Sequence, residues 1–446
     1  MAISYYDGAY TGAQIDAAVA AANNLGTAAS KDMDSTLDPS STTPVQNSTL
    51  YTKFLDVDAN IAALRVMMNA VLYGYRVSKT DSNPETRVEY LYDAVGMTPA
   101  RMNYQTGQFD YGSWGGAWFI VENKPVALKF DGSVDYGLDP NDYSKKADGT
   151  ASDVTGSTYA GNFMASMPTV WIKRWEDADW EYTAISNKQI TSDFYADAHD
   201  NGAGDINDMI YLPMFKGCIV DSKMRSLSSV TPTASTTGSA EKAAAEACGS
   251  GWQMWDWSKH ELISDLLTLI SRSTNSQNAF GYGVTTGSSV ISTGTSGAGQ
   301  FWGANDQTHH CKVFHIEDFW GNRWDRCLGI CSVDNQYVYK LVGPYQLGPD
   351  STYTYSGLYA PADGYQKVQY IGRYGRFPKT TGGSSSTFYA DNFTKNDSGT
   401  RFGRFGGSYY NGMTAGSRAL NLANVVNGAP VDVGGSPCYN APHVTT

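Results

Sequence analysis

The sequence is poor in charged residues, and it contains no long apolar run. Asp, Glu, Lys and Arg make up only 17% of the 446 residues while aromatic residues make up 13%, which is the reverse of the balance typical of disorder. A net charge of −12 argues against nucleic acid or an anionic membrane as partner, because phosphate groups are bound by clustered Lys and Arg. No apolar stretch is long enough to span a bilayer, so we expect no membrane insertion.

Cysteine is also scarce, with six in the whole chain, and no CxxC pair has a matching partner. A zinc ribbon is therefore not expected, and most of the cysteines are predicted to be buried free thiols. His309, His310 and Cys311, with His315 nearby, carry ligand atoms for a metal. Adjacent histidines are more often exposed loop or strand positions, so we predict neither a metal site nor any other cofactor.

Catalytic motifs are missing as well. The sequence has no G-x-S-x-G elbow, no H-E-x-x-H and no P-loop. Glu317 and Asp318 are an acidic pair, but adjacent strand residues point to opposite faces, whereas a glycosidase needs two opposed carboxylates. Asp205, Asn207 and Asp208 match only part of a calcium loop. We therefore predict that the protein is not an enzyme.

The N-terminal residues, 1–79, have the pattern of a helical stalk. Thr11 and Gln14 form a capping box for a first helix, and a polar connector with Pro39 and Pro44 follows it. Beyond the connector, apolar residues alternate spacings of four and three, which is typical of helices that supercoil around one another. A helix packed on its own domain is the alternative interpretation. The apolar seam consists of Leu50, Phe54, Val57, Ile61, Leu64, Met68, Val71 and Tyr75.

The rest of the chain is dominated by short β-like runs separated by glycine. We expect a small β-rich domain over 80–160 and a larger domain over 161–446, with a hairpin in the aromatic-rich segment that begins at Met167. A helix is predicted from Ser239 to Gly249, and a longer one behind a capping box of Ser258 and Glu261. Helices within a β-rich body predict the α+β class.

Two stretches resemble proteins of tailed bacteriophages. The connector DPSSTTPVQN, Asp38 to Asn47, is similar to a segment of tail-fibre and tail-tip proteins that leads into an oligomerising stalk. The second stretch covers most of the body from about Arg87, including VFHIEDFWGNRWDRCLGI, and resembles phage receptor-binding proteins with a C-type-lectin-like fold, which formylglycine-generating enzymes share. The catalytic cysteine pair of those enzymes has no match here, so their activity is not implied.

The segment Gly406 to Asn424, within a variable region of about 400–440, resembles the variable region of major tropism determinants, which phage retroelements diversify by replacing adenines. The shared framework is Gly406, Gly407, Tyr409, Asn411, Gly412, Ala415, Gly416, Leu420 and Leu422, and Val433 and Gly434 match the family's ending. The chain departs from the family by continuing past Gly434. Carried over position by position, the resemblance implies a receptor-binding set of Ser408, Tyr409, Tyr410, Asn411, Met413, Thr414, Ser417, Ala419, Asn421, Ala423, Asn424 and Val425.

The resemblance implies a receptor-binding protein at the tip of a phage tail. It would be made in the host cytoplasm and released on lysis, would form a homotrimer, and would contact other tail proteins through its N-terminus. Its partner would be a protein or glycan on the bacterial surface. Two alternatives are an enzyme on the same fold that degrades a surface glycan, and a purely structural tail-fibre component. The Tyr, Ser and Asn residues of the segment also fit an ordinary loop, which favours the same residue types.

Overall fold

Extended chain dominates residues 70–443, the part of the protein that the computed structural model describes. Strands account for 38% of the structure and helices for 10%. The predicted fold class, α+β with a helical stalk, a β-rich region and a C-type-lectin-like domain, is therefore wrong for the described residues, which are mostly β. Short runs of aromatic and β-branched residues between glycine turns favour strands, and few helical segments interrupt them.

Short strands follow one another along the chain, and most of the helical residues lie near its middle. The strands of the first half are β1 (Leu72–Ser78), β2 (Val88–Tyr92), β3 (Arg101–Asn103), β4 (Gln108–Asp110), β5 (Pro125–Lys129), β6 (Val134–Asp139), β7 (Asp142–Lys146), β8 (Gly161–Pro168), β9 (Trp171–Glu176), β10 (Trp180–Ser186), β11 (Met209–Pro213), β12 (Cys218–Val220) and β13 (Lys223–Arg225). Those of the second half are β14 (Trp252–Met254), β15 (Lys312–Val313), β16 (Ile316–Glu317), β17 (Trp324–Val333), β18 (Gln336–Tyr339), β19 (Thr354–Tyr359), β20 (Gly364–Gly372), β21 (Gly375–Thr381), β22 (Asn392–Lys395), β23 (Thr400–Gly406), β24 (Gly416–Leu422), β25 (Val433–Gly434) and β26 (Pro437–Asn440). The α-helices of the described residues are α1 (Trp118–Val121), α2 (Gly238–Glu246), α3 (Trp257–Ser271) and α4 (Ser276–Phe280).

Three larger sheets and several two-stranded ribbons make up the body. The four-stranded sheet has the order β2-β1-β10-β9, and the seven-stranded sheet has the order β14-β26-β11-β8-β5-β6-β7. In the nine-stranded sheet the order is β19-β18-β17-β23-β24-β22-β20-β21, with β25 parallel to β17. No helix among residues 70–443 is both long and apolar enough to cross a membrane.

The apolar seam that predicts the stalk lies outside the described residues except at its end. There the helix prediction is wrong, because Tyr75 lies in strand β1, which pairs antiparallel with β2 and β10. Tyr75 is buried, and its hydroxyl donates to the Asp265 carboxylate at 2.8 Å. Long-range strand pairing and this buried contact override the local helical spacing.

Local patterns within the body are largely confirmed. The segment from Met167 contains the antiparallel pair β9–β10, and β5–β6 is a second hairpin. The helix predicted from Ser239 to Gly249 is present as α2, which ends earlier, at Glu246, and has Thr237 as its N-cap. All six cysteines are buried, in agreement with their prediction as buried thiols. Five tryptophans are buried as well: Trp252, Trp255, Trp257, Trp320 and Trp324.

Helix α3 lies at the centre of the core, and every residue in it is buried. The predicted capping box is wrong, because the N-cap is Asp256, which accepts from the backbone N–H of Lys259. Ser258 donates instead to Leu341 O at 2.6 Å. Glu261 accepts from the backbone N–H of Arg376 at 2.8 Å. The side chains of Ser258 and Glu261 therefore bond to residues distant in sequence instead of forming the capping box.

The chain after Gly434 is part of the fold. Strand β26 lies between β14 and β11, so the seven-stranded sheet depends on residues near the C-terminus. The same sheet joins β5 to β8 across the predicted domain boundary at 160/161. Residues from Val71 onward make up one compact unit.

Candidate functional site

The connection between β23 and β24 is a tight loop whose path depends on two glycines. Gly406 and Gly407 have φ values of 92° and 93°, a region that residues with a side chain rarely adopt. A Cβ on Gly407 would lie 2.6 Å from the Cβ of Ala415. Because both glycines are buried, the loop starts from a rigid base before it reaches the surface at Tyr409.

Asn411 organises the tip of this loop. Its Oδ1 accepts from both the backbone N–H and the hydroxyl of Ser408, each at 2.8 Å. The hydroxyl of Thr414 donates to Asn411 O at 2.6 Å, and a single 3₁₀ turn spans Gly412–Thr414. The amide oxygen of Asn411 is therefore used inside the loop.

Two neighbouring tyrosines form the most prominent part of the loop. Their rings pack edge to face, with centroids 5.0 Å apart, and Tyr410 is 54% exposed. The Tyr410 hydroxyl donates to the Asp432 carboxylate at 2.6 Å. Partial burial and the hydrogen bond to Asp432 raise the pKa of Tyr410 to about 12, so the phenol stays protonated at neutral pH. The ring of Tyr410 is thus held in one position while much of its surface faces solvent.

Segments distant in sequence support the loop from beside it. Gly412 N donates to Thr285 O at 2.7 Å, and Gln307 Nε2 donates to the Met413 sulfur at 3.5 Å. Tyr409 N donates to Asn322 O at 3.1 Å, while the Asn322 side chain bonds the backbone of Ile291, which is 38% exposed. We call the resulting surface the tyrosine face; it comprises Tyr409, Tyr410, Met413, Thr414 and Ile291.

Several members of the predicted receptor-binding set do not reach the surface. Strand β24 lies between β23 and β22, and every residue in it is buried, including Leu420 and Leu422. Ser417 O accepts from His260 Nε2 at 2.8 Å. Ala419 packs with Trp324 and Phe402. The buried members of the set are Ser408, Ser417, Ala419 and Asn421.

The remaining members of the set divide between the two ends of β24. Tyr409, Tyr410, Asn411, Met413 and Thr414 precede the strand, whereas Ala423, Asn424 and Val425 follow it. Seven strand residues separate the two groups, a distance of about 20 Å at the usual rise per residue. Val425 is 56% exposed, but it lies beside Arg401 at the far end of β23. Only the residues that precede β24 therefore lie in the loop that forms the tyrosine face.

Several residues that support the tyrosine face were not predicted from the sequence. Asp432 is buried, and its carboxylate accepts from Tyr410, from Ser408 and from Arg404. Thr285 and Gln307 belong to no sequence motif that could have identified them. The abundance of Gly and Ser over 287–299 indicates a loop but not the side of the molecule on which that loop lies.

The acidic residues considered as catalytic pairs do not line a surface cleft. Glu317 and Asp318 are both buried beneath the 287–299 loop. Asp205 pairs with His443, and the Asn207 side chain bonds Ala441 O at 2.8 Å, so the segment that matches only part of a calcium loop contacts the residues that follow β26.

The tyrosine face consists of aromatic rings, a thioether, a hydroxyl and an aliphatic side chain. It contains no charged side chain, since Asp432 lies behind the Tyr410 ring. Such a surface offers rigid apolar area with hydrogen-bonding groups at its margin, which is suited to binding by contact and stacking. No protein-family model matches this chain, and no curated protein matches it in sequence.

Proposed function

We propose that this protein is a bacteriophage tail-tip adhesin that binds a receptor on the bacterial surface through the tyrosine face. The observation that carries the proposal is a pair of partly exposed tyrosines on a loop whose base is buried and hydrogen-bonded. A tyrosine side chain has only two χ angles, and side chains held in this way lose little conformational entropy on binding. Much of their contact area therefore contributes to affinity. The phage resemblance of the connector and of the Gly406–Asn424 segment supports the same assignment.

Several copies of the chain would act together. The resemblance to phage receptor-binding proteins supports a homotrimer. Because linked binding events become intramolecular, weak contacts at the separate tyrosine faces would together give strong attachment to the cell. Other tail proteins would hold the N-terminal end in the virion.

A binding assay with surface variants tests the proposal. Labelled full-length protein is incubated with a panel of bacterial strains, and a strain that retains it is used for comparison. We expect Tyr410→Ala and Tyr409→Ala each to weaken binding at least about tenfold, as buried aromatic contacts in interfaces do. Tyr410→Phe, which keeps the ring and loses only the bond to Asp432, should bind nearly as well as the unaltered protein.

Tyr355 provides a matched control. It lies in the edge strand β19, outside the tyrosine face, and is 54% exposed, the same fraction as Tyr410. Tyr355→Ala should leave cell binding unchanged. Equal losses for Tyr355→Ala and Tyr410→Ala, or full binding by the Tyr409→Ala, Tyr410→Ala double variant, would rule out the tyrosine face as the receptor site. Treating the cells with protease or with glycosidases distinguishes a protein receptor from a glycan.

Sequencing of the coding region in a population of the parent phage tests the diversification that the resemblance implies. We expect adenine-derived codon changes at positions that reach the surface, such as Tyr410 and Thr414, with the framework residues Gly406 and Gly407 invariant. Buried Ser417 and Asn421 should vary less, because their neighbours leave no room for larger side chains. A uniform population without adenine bias would remove the diversification and leave the adhesin assignment to the binding assay.

A further inference from the structure

A buried imidazole and two carboxylates meet beneath the 287–299 loop. His310 Nδ1 lies 2.6 Å from Asp318 Oδ2 and 3.8 Å from Glu317 Oε1. One potential ligand atom from each of the three residues falls within 4.8 Å of the other two. All three side chains are at most 1% exposed.

A short hairpin and one left-handed residue bring these groups together. His310 precedes strand β15, and Glu317 ends strand β16, which pairs with β15. Asp318 has a φ of 57°, which breaks the alternation of a strand. The carboxylates of two adjacent residues can therefore approach the same imidazole, which the sequence pattern did not predict.

The hydrogen bonds around the cluster leave one ring nitrogen directed at the acids. His310 Nε2 bonds Ser292 O at 3.0 Å, and because a carbonyl only accepts, Nε2 carries a hydrogen. The other nitrogen, Nδ1, faces Glu317 and Asp318. A lone pair on Nδ1 would repel two carboxylates, so at 2.6 Å a proton lies between Nδ1 and Asp318 Oδ2, and a metal ion would displace that proton as the two ligand atoms move apart. An outer hydrogen bond from imidazole to a carbonyl is also the usual support for a metal-binding histidine.

The carboxylates have outer partners and spare capacity. Glu317 accepts from Gly294 N at 2.7 Å and Ser296 N at 3.2 Å, and Asp318 Oδ2 accepts from Asn322 Nδ2 at 3.0 Å. The second oxygen of Asp318, Oδ1, is buried without a hydrogen-bond partner among the described residues.

We propose that His310, Glu317 and Asp318 bind a divalent transition-metal ion, Zn²⁺ in particular, that fastens the 287–299 loop to the β15–β16 hairpin. One imidazole nitrogen with carboxylate oxygens is a donor set that suits Zn²⁺, and the free Asp318 oxygen supplies a further ligand atom. Ca²⁺ and Mg²⁺ are disfavoured, because they require more oxygen ligands or retained waters than this buried cluster provides. The proposal stands independently of the adhesin assignment.

The loop held in this way adjoins the tyrosine face. Asn322 bonds Asp318, the backbone of Ile291 and, through its own carbonyl, Tyr409 N. Metal binding would therefore order Ile291 and one side of Tyr409.

Metal content and thermal stability of the full-length protein, prepared without a histidine tag, test the proposal. After chelation and dialysis, added Zn²⁺ should bind at one ion per chain and raise the melting temperature by about 3 °C or more, because a ligand that binds only the folded state stabilises it. Mn²⁺ should have a smaller effect and Ca²⁺ none. Co²⁺ added in place of Zn²⁺ should show the visible absorption of a nitrogen- and oxygen-ligated ion.

Two variants separate the buried cluster from surface binding. Asp318→Asn should lower Zn²⁺ affinity at least about a hundredfold and abolish the Co²⁺ spectrum, since even outer partners of metal ligands affect affinity by 10–100-fold. His309→Gln removes the adjacent but exposed imidazole, which pairs with Asp306, and should leave both signals intact. If Asp318→Asn does not fold, the Co²⁺ spectrum and the Zn²⁺ stoichiometry of the unaltered protein still decide whether the cluster binds a metal ion.

The proposal is overturned if the unaltered protein binds no Zn²⁺ and its melting temperature does not respond to chelator. A proton then occupies the position between His310 and Asp318. It is equally overturned if His309→Gln loses the ion while Asp318→Asn keeps it, since the metal is then bound at the surface.

Discussion

Asp265 lies in the middle of helix α3 and binds side chains from four different strands. Arg174 Nε donates to it at 2.6 Å and Arg418 at 2.5 Å, while Arg376 and the Tyr75 hydroxyl donate at 3.2 and 2.8 Å. Burial alone would raise the pKa of Asp265, but the charges of Arg174, Arg418 and Arg376 outweigh burial and lower it. The carboxylate therefore stays ionised and holds the four-stranded and nine-stranded sheets against one helix.

Replacing Asp265 by Asn should destabilise the protein strongly. The variant leaves three arginines without their shared carboxylate, and breaking a buried ion pair by removing one partner costs about 3–5 kcal/mol. The midpoint of urea unfolding, followed by tryptophan fluorescence, measures the effect. Asp142→Asn breaks an exposed pair with Lys145 and should leave the midpoint unchanged. Equal midpoints for the two variants would contradict this role of Asp265.

Asp391 makes the stability of the protein depend on pH. Burial raises its pKa from 3.8 to about 8, against the lowering effects of the hydrogen bond from Arg418 N and the Arg418 charge. In the folded protein the proton is thus retained at pH values where the unfolded chain has lost it. The stability contributed by Asp391 is fully present below about pH 4 and is lost as the pH rises to about 8.

Asp391→Asn resembles the protonated side chain and should remove this dependence. Melting temperatures of the variant and the unaltered protein, measured from pH 4 to 8, should diverge in favour of the variant as the pH rises. A difference that stays constant over this range would show that Asp391 does not titrate as expected.

At the scale of elements, the loop between β23 and β24 shows how buried glycines position an exposed surface. Gly407 brings the chain against Ala415 and the side chain of Asn411, so the loop closes over its own base before β24 begins. The two tyrosines that follow depend on this closure for their orientation. The sequence pattern of glycine pairs indicates a turn, but the close contact with Ala415 is what requires glycine.

Gly407→Ala should therefore disturb the tyrosine face and lower stability. A Cβ would meet Ala415 at 2.6 Å and would force an alanine into a left-handed conformation, which together cost about 2–4 kcal/mol. Thermal unfolding and limited proteolysis of the loop measure the change. Gly116→Ala serves as a control, because a Cβ there meets no heavy atom within 4 Å. A Gly407→Ala variant as stable as Gly116→Ala would contradict the close-packing argument.

At the scale of the whole molecule, the chain end completes a sheet that begins hundreds of residues earlier. Strand β26 pairs with β11 on one side and with β14 on the other, and Cys438 and Tyr439 within it are buried. The last strand is therefore part of the interior of the seven-stranded sheet rather than an appended arm.

A chain that ends at Gly434 should fail to fold. Without β26 the backbone groups of β11 and β14 lose their partners, and buried apolar surface around Trp252 is exposed. Solubility on expression and the presence of a cooperative thermal transition measure the outcome. A chain that ends at His443 keeps β26 and should melt like the unaltered protein. A soluble, cooperatively melting protein that ends at Gly434 would show that the sheet closes without this strand.

The sequence by itself determined the local features of this protein. Two aromatic-rich runs around an acidic turn were sufficient to predict the β9–β10 hairpin. A polar residue ahead of an apolar run predicted helix α3, although not its true N-cap, Asp256. The same local signals overstated the helical character of the fold. The recognition surface around Tyr409 and Tyr410 is implied by the phage resemblance and stays a prediction.

Only the tertiary structure decided which of the predicted surface residues are exposed. Ser417 and Asn421 carry the same polar character as Asn411, yet they lie in β24, a central strand in which every residue is buried. The contact between Arg418 and Asp265 spans 153 residues, and no pattern within a short window records such a partner. Local structure depends on neighbours in sequence, whereas burial, buried charge pairing and the cluster at His310 depend on strands that meet only when the whole chain has folded.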